Sequence, residues 1–297
     1  MIRPMEISLE QIREAASLLR GQIQRTDCRH SVTLSAITGA EIFLKYENHQ
    51  FTASFKDRGA RLKLQRLDAA QRRRGVIAMS AGNHAQGVAH HATRLGIPST
   101  IVMPVNAPFN KVQQTRLLGA EVVLHGENLA GAETRAHELA ASRDLVFVHP
   151  YDDADIITGQ GTVALEMLED VPDLDCLCVP IGGGGLLGGM AIAARGLNPA
   201  IDLVGVQTRA FPAMWAAIRN ETVTFGAQTI AEGIAVSNVG RLTRAIIESL
   251  VNEIVLVDEG DIERAISLFV AIEKTVVEGA GAAGLAAQGL PVVFVHG

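Results

Sequence analysis

The sequence predicts an α/β protein with two domains, each built on a parallel or mixed sheet, and a cleft between them. From about Gly75 onward, short β-branched runs alternate with helical patterns, which is typical of parallel strands covered by helices. The number of strand candidates favours two sheets over one open sheet. We expect residues 75–149 to form a small, mobile domain, and residues 1–74 with 150–297 to form a large one.

The strand candidates follow one another in a regular order. In the small domain they are VIAM, STIVM, EVVL and LVFV, and in the large domain they are CLCVP, LVGVQ, EIVLV and PVVFV. Helical patterns separate most of them, the clearest being NHAQGVAHHATRL, NLAGAETRAHELAAS and DIERAISLFVAIEK. No internal repeat or low-complexity linker interrupts this series.

Composition narrows the function classes. The chain has 297 residues, 48% of them hydrophobic, and its net charge of −6 argues against a nucleic-acid partner. Charged residues between Arg3 and Arg13 argue against a signal peptide, so we expect a cytoplasmic protein. The uncharged stretch 176–194 is as long as a membrane span, but Pro180 and six glycines argue against a helix in lipid. The cysteines and histidines lack the spacing of disulfide frameworks or metal sites, so no metal is expected.

The segment TASFKDRG places a lysine at the start of a helix. Ser54 is a candidate N-cap, which puts Lys56 in the first turn. The helix dipole disfavours positive charge there, so it lowers the pKa of the lysine and favours the neutral amine that a Schiff base requires. A solvated surface lysine is the alternative interpretation.

The segment SAGNHAQG follows the VIAM strand and begins a helix. Its backbone N–H groups then lie at the carboxyl edge of a sheet, which predicts an anion site able to hold a carboxylate. Ser80, Asn83 and His84 are the candidate side-chain donors. An ordinary helix-capping turn explains the serine and the glycine nearly as well.

Four consecutive glycines follow the CLCVP strand and precede a helix. Such a loop can wrap main-chain N–H groups around a phosphate. The segment also satisfies the dinucleotide-binding pattern G-x-G-x-x-G, but the next strand ends in Gln207 and Thr208 where a ribose-binding acid is expected. Tight packing of the strand against the helix, without a ligand, is a further alternative.

Two more segments, AEGIA at 231–235 and EGAGAAG at 278–284, carry small residues beside an acid. Small residues are needed where a flat ring lies against the backbone. Neither segment is specific by itself.

Taken together, SFKDRGA, SAGNHAQG, the tetraglycine loop, AEGIAV and EGAGAAG resemble the fold-type II pyridoxal-phosphate (PLP) enzymes, and most closely the threonine dehydratases (threonine/serine ammonia-lyases). The order and spacing match as well, and the resemblance runs from about Thr26 to the end of the sequence. It implies a tryptophan-synthase-β-like fold with PLP in the cleft between the domains. It also implies a homodimer or a homotetramer.

The resemblance assigns roles to individual residues. Lys56 and Ser80 are the implied catalytic residues, Phe55 packs on the PLP ring, and Glu278 faces the ring nitrogen. The implied cofactor-binding residues are Phe55, Lys56, Asn83, Gly182, Gly183, Gly184, Gly185, Leu186, Gly233 and Glu278. The implied substrate-binding residues are Ser80, Ala81, Gly82, Asn83 and His84.

The implied reaction converts L-threonine or L-serine to 2-oxobutyrate or pyruvate plus ammonia. Lys56 holds PLP as a Schiff base and, once freed, takes the α-proton of the substrate, after which the β-hydroxyl leaves. Serine racemase and other hydroxy-amino-acid lyase activities are the alternatives on this fold. Serine racemases that resemble this chain carry a second serine at the position of Ala81, whose methyl group cannot deliver a proton.

The sequence departs from the family pattern in three places. Ala53 stands where relatives commonly have glycine, and Gln207 stands where relatives with a divalent-cation site have an acid. At the C-terminus, the sequence ends at Gly297 where relatives continue through a Ser- or Cys-Gly-Gly-Asn turn facing the ring nitrogen. His296 is the only candidate near that position. A PLP-binding protein of low activity is therefore a further hypothesis.

Overall fold

Ten strands form two sheets in residues 7–287 and 293–296, the part of the chain that the computed structural model describes. In chain order the strands are β1 (Cys28–His30), β2 (Phe43–Tyr46), β3 (Val76–Met79), β4 (Ser99–Met103), β5 (Glu121–Leu124), β6 (Val146–Phe147), β7 (Cys176–Pro180), β8 (Asp202–Thr208), β9 (Glu253–Val257) and β10 (Val293–His296).

Thirteen α-helices cover these sheets within the same described residues. They are α1 (Leu9–Leu19), α2 (Val32–Thr38), α3 (Lys56–Arg66), α4 (Ala69–Arg74), α5 (Asn83–Arg94), α6 (Phe109–Leu117), α7 (Leu129–Arg143), α8 (Ala154–Asp170), α9 (Gly185–Leu197), α10 (Ala213–Arg219), α11 (Arg241–Leu250), α12 (Glu259–Leu268) and α13 (Gly279–Ala286). Each of these helices is too short or too polar to cross a membrane.

The larger sheet is mixed and the smaller one is parallel. Six strands form the larger sheet in the order β1-β2-β10-β7-β8-β9, in which only the β1–β2 pair is antiparallel. Four parallel strands form the smaller sheet in the order β5-β4-β3-β6. Parallel neighbours require crossover connections, and the intervening helices provide them. This arrangement confirms the predicted fold class.

Strand order reverses once beside β7 and once beside β3. In the larger sheet β8 lies on one side of β7 and β10 on the other, and in the smaller sheet β4 and β6 flank β3. Ligands of open α/β sheets bind at such reversals, outside the carboxyl ends of the strands. The tetraglycine loop follows β7 and the SAGNHAQG loop follows β3, so both predicted ligand loops lie at these points.

Close helix crossings fix the helices that carry the site. A Cβ on Gly159 of α8 would lie 2.7 Å from the Cα of Gly59 in α3. A Cβ on Gly189 of α9 would lie 2.1 Å from the carbonyl oxygen of Ile157 in α8. Helix α8 therefore holds α3 and α9 at a fixed spacing, and with them the lysine and the glycine loop at their N-termini.

All eight strand runs read from the sequence form strands, β3 to β10. The short strands β1 and β2 were not predicted, and they supply one edge of the larger sheet. The predicted domain boundaries, 75–149 against the rest, stay a prediction, although β3 to β6 fall between Val76 and Phe147.

Candidate active site

Lys56 begins α3, and its amine contacts the segment that follows β6. The Nζ atom donates a hydrogen bond to the carbonyl oxygen of Pro150 at 2.7 Å and lies 5.3 Å from the centre of the Phe55 ring. Burial lowers the pKa of Lys56 to about 8, although the charge of Glu278 opposes this shift. Near physiological pH a larger fraction of this amine is therefore neutral than of an ordinary lysine. The helix begins one residue later than expected from a Ser54 N-cap, but the Ser54 hydroxyl accepts the Lys56 N–H as an N-cap side chain does.

A buried ionic network anchors α3 beside this lysine. Arg58 bonds to Glu47 and to Glu166 at 2.7 Å each, and Arg58 and Glu47 are fully buried. Lys45, also buried, bonds to Glu166 at 2.7 Å. Burial alone would raise the pKa of Glu47, but the Arg58 charge keeps that pKa below its usual range. Because every charge has a partner, the network can hold the start of α3 without leaving an unpaired buried ion.

The SAGNHAQG loop lies between β3 and α5. The Ser80 hydroxyl accepts the N–H of Gly82 at 3.1 Å, and α5 begins at Asn83. His84 is buried and its Nε2 donates to the carbonyl oxygen of Val148 at 3.0 Å. Burial lowers the pKa of His84 to about 3, so its imidazole is neutral. His84 can therefore offer an anion its first-turn backbone N–H, while its ring is bound to Val148.

Asn83, Gly233 and Glu278 meet across the cleft. Asn83 donates from Nδ2 to Glu278 Oε1 at 2.8 Å, and a Cβ on Gly233 would lie 3.3 Å from that same oxygen. The surrounding protein shields the Glu278 carboxylate from water and so raises its pKa, although the hydrogen bond from Asn83 opposes this shift. Asn83 and Glu278 line a cavity of about 580 Å³, which is within the usual range for a small-molecule site.

The tetraglycine loop wraps around Tyr151. A Cβ on Gly183 would lie 2.2 Å from the Tyr151 ring, so only glycine fits there. Gly184 has a φ of 92°, a conformation that favours glycine. Helix α9 begins at Gly185, so its first-turn N–H groups have no acceptor inside the helix. The hydroxyl of Thr243 donates to the Gly183 carbonyl oxygen at 2.7 Å, which ties the loop to the start of α11.

The sequence matches the family model described as pyridoxal-phosphate dependent enzyme over residues 19–290. The chain belongs to this family. PLP is therefore its cofactor, which confirms the prediction made from the motifs.

Specific relatives narrow the comparison. The chain is 47% identical over 284 residues to the L-threonine ammonia-lyase of Thermotoga maritima, covering 95% of this chain and 71% of that protein. It is 43% identical over 285 residues to L-threonine dehydratase catabolic TdcB of Escherichia coli, covering 95% and 87%. The solved structure of maize serine racemase has a TM-score of 0.92 and 32% identity, covering 97% of this chain and 92% of that one.

The residues of this PLP enzyme fit the cofactor. The glycine loop packs so closely on Tyr151 that a Cβ on Gly183 would clash with the ring, and the free N–H groups at the start of α9 suit a phosphate. The amine of Lys56 suits the aldehyde carbon, and Asn83 with Glu278 suits the polar edge of a pyridine ring. Individual assignments for these residues, and for Phe55, Leu186 and the substrate loop, stay predictions.

The structure brings together most of the predicted residues and adds others that sequence reasoning missed. Pro150, Tyr151 and Thr243 contact Lys56 or the glycine loop directly, and Asp152 accepts the first N–H groups of α11. The segment HPYDD that carries three of them is part of the family resemblance, but nothing in its local pattern indicates these contacts. Thr243 lies in no recognisable motif. The expected role of the His296 side chain lies outside the described residues.

Proposed function

We propose that this PLP enzyme eliminates water from L-threonine, and from L-serine, to give 2-oxobutyrate or pyruvate plus ammonia. The observation that carries the proposal is the Lys56 amine, held in the cleft and bonded to the Pro150 carbonyl. The names of the relatives at 47% and 43% identity support the same reaction. Bound PLP supplies the electron-withdrawing ring that makes the α-carbon of an amino acid acidic.

Lys56 is the proposed base in this reaction. A general base works best when its pKa lies close to the operating pH, and burial brings the pKa of Lys56 to about 8. The neutral amine can accept the proton at the substrate Cα. The Pro150 carbonyl can then receive a hydrogen bond from the resulting ammonium and hold it near the reacting atoms.

The loop from Ser80 to His84 is the proposed carboxylate site. Its amides lie at the N-terminus of α5, where the helix dipole favours an anion. Asn83 is already bonded to Glu278, so this contact ties the carboxylate loop to the opposite wall of the cleft. Binding there would fix the substrate so that its α-proton faces Lys56.

Serine racemisation is the second candidate, because the maize serine racemase structure is so similar to this chain. Racemisation needs a proton donor on the face of the cofactor opposite the lysine. Ala81 packs partly into the apolar core of the smaller sheet, and its methyl group cannot donate a proton. Ala81 therefore favours elimination over racemisation.

One assay separates the candidates. The enzyme loaded with PLP is incubated with L-threonine and with L-serine, and 2-oxo acid, ammonia and D-amino acid are all measured. We expect 2-oxo acid and ammonia in equal amounts, with little D-serine, and no turnover in Lys56→Ala. D-serine accumulating as fast as pyruvate would instead support the racemase. PLP binding without any product would support the low-activity binding protein.

A homodimeric or homotetrameric assembly and a cytoplasmic location are also proposed, on the family resemblance and the sequence alone. Sedimentation of the purified protein loaded with PLP would test the assembly.

A further inference from the structure

Asp57 directly follows Lys56 and is fully buried, which is costly for a carboxylate unless donors surround it. Its Oδ2 accepts the backbone N–H of Thr52 at 2.9 Å. Its Oδ1 accepts the Thr52 hydroxyl at 2.9 Å and Nε2 of His91 at 3.0 Å. These three donors come from the loop before Lys56 and from α5, so Asp57 joins both segments to the lysine helix.

The loop that Asp57 holds is conformationally unusual. Ala53 has a φ of 55°, in the left-handed region that residues other than glycine rarely adopt. Asp57 binds the residue just before it, Thr52, and Ser54 just after it accepts the Lys56 N–H at 3.2 Å. The loop is therefore fixed on both sides of its strained residue. Thr52 and Ala53 also line the cavity, so the path of this loop shapes the site.

The second partner, His91, ties the other ligand loop to the same carboxylate. His91 lies on α5, whose N-terminus carries Asn83 and His84. The same helix lies against the lysine, because a Cβ on Gly87 would be 3.4 Å from the backbone carbonyl of Lys56. The Asp57–His91 bond therefore fixes α5 about one turn beyond this close approach.

We propose that Asp57 is a positioning residue. It holds the strained Thr52–Ala53 loop and helix α5 in one arrangement around Lys56, so that the amine is presented to PLP in the correct place. Asp57 itself does not line the cavity, so its influence must pass through its partners Thr52 and His91. The proposal concerns formation of the Lys56–PLP adduct, and it is independent of which amino acid the enzyme converts.

The test measures a rate. PLP is added to the full chain from which PLP has been removed, and the visible absorbance of the Lys56–PLP adduct is followed over time. Asp57→Asn removes the charge, and its NH₂ group must either face the Thr52 N–H, which removes that bond, or face the Thr52 hydroxyl and His91, which must then both reorient to accept. We expect the adduct to form about tenfold more slowly, the rate change for one lost hydrogen bond.

Rescue distinguishes positioning from a general loss of structure. Glycine adopts the backbone conformation of Ala53 without strain, so Ala53→Gly should reduce the dependence of the loop on Asp57. We expect the double variant Asp57→Asn/Ala53→Gly to recover most of the lost rate. The matched control is Leu139→Ala, a buried substitution in α7 that lowers the melting temperature without touching this junction.

The outcomes are distinct. Slow adduct formation in Asp57→Asn, rescue by Ala53→Gly and a normal rate in Leu139→Ala support the proposal. A normal rate in Asp57→Asn, a rate that Ala53→Gly does not change, or equal slowing in Leu139→Ala would overturn it. If Asp57→Asn does not fold, His91→Leu removes one donor and keeps both Thr52 bonds. That variant should also slow adduct formation more than Leu139→Ala does, and a normal rate in it would overturn the link to α5.

Discussion

Replacing Lys56 by methionine should stabilise the chain without PLP, because the cleft disfavours a charged amine. The pKa of Lys56 falls from 10.5 to about 8. At neutral pH, such a fall corresponds to about 3 kcal/mol of destabilisation relative to the unfolded chain. Lys56 is only half-buried, so solvent screens part of this cost, and the variant loses the bond to Pro150. We expect a net gain of about 1–2 kcal/mol in the free energy of unfolding.

The gain should depend on pH in a defined way. The folded-state pKa of Lys56 is lower than its unfolded value, so between these values the unfolded state binds more protons. The stability of the parent chain therefore rises relative to Lys56→Met as pH increases from about 8 to 10.5. The advantage of the variant should be constant below this window and should disappear above it. Urea unfolding of both PLP-free chains at several pH values measures this difference.

Lys63, on the same helix, provides a control because its pKa shifts in the opposite direction to that of Lys56. Burial alone would lower its pKa, but Asp153 at 2.7 Å and Asp155 at 3.2 Å raise the pKa instead. Lys63 therefore stabilises the folded chain at pH values below its pKa in the unfolded chain. This stabilisation is lost as the pH rises through its higher pKa in the folded chain. Lys63→Met should therefore lower the free energy of unfolding by about 1 kcal/mol at neutral pH.

Two outcomes would refute the reasoning for Lys56. One is a Lys56→Met variant that is less stable than the parent chain at pH 7, and the other is a stability difference between the two chains that does not change with pH.

Three further substitutions, one of them with a matched control, test the site. Gly183→Ala should abolish PLP binding in an absorbance titration, because its Cβ would lie 2.2 Å from the Tyr151 ring. The control Gly188→Ala should bind PLP normally, because its Cβ would lie 3.7 Å from the nearest atom, in Ile246. Thr243→Val should weaken PLP binding about tenfold in that titration, since it loses one buried hydrogen bond to the glycine loop. Ala81→Ser should raise D-serine formation measured by chiral chromatography, because the hydroxyl can transfer a proton.

The fold and the positions of the ligand loops could be predicted because both follow from local patterns. Each β-branched run becomes a strand, and a glycine- or serine-rich turn between a strand and a helix must lie at the carboxyl end of that strand. The family resemblance then joined Lys56, Asn83, Gly233 and Glu278 in one site. In the structure Asn83 bonds to Glu278, and Gly233 lies so close that a Cβ on it would be 3.3 Å from the same Glu278 oxygen.

The supports of the site could not be predicted, because they depend on contacts between distant parts of the chain. The Lys56 amine bonds to a carbonyl oxygen that lies 94 residues away in the sequence. The Thr243 hydroxyl reaches the glycine loop over a separation of 60 residues. Neither a backbone carbonyl nor a lone threonine has a sequence pattern that marks it. The β1–β2 edge was also missed, because its segments, CRH and FLKY, contain charged residues and no β-branched residue.

The lowered pKa of Lys56 shows where a local argument gives the right direction for an incomplete reason. From the sequence, the helix dipole at the start of α3 lowers this pKa, but burial is the largest influence in the structure. A helix dipole contributes up to about 2 kcal/mol at a partly buried position such as that of Lys56, whereas the shift to a pKa of about 8 needs about 3 kcal/mol. Lys63 lies on the same helix and has a raised pKa, because two aspartates face it. The surroundings of each amine therefore decide its charge, and the neutral amine that PLP chemistry requires is produced by the cleft rather than by the helix start.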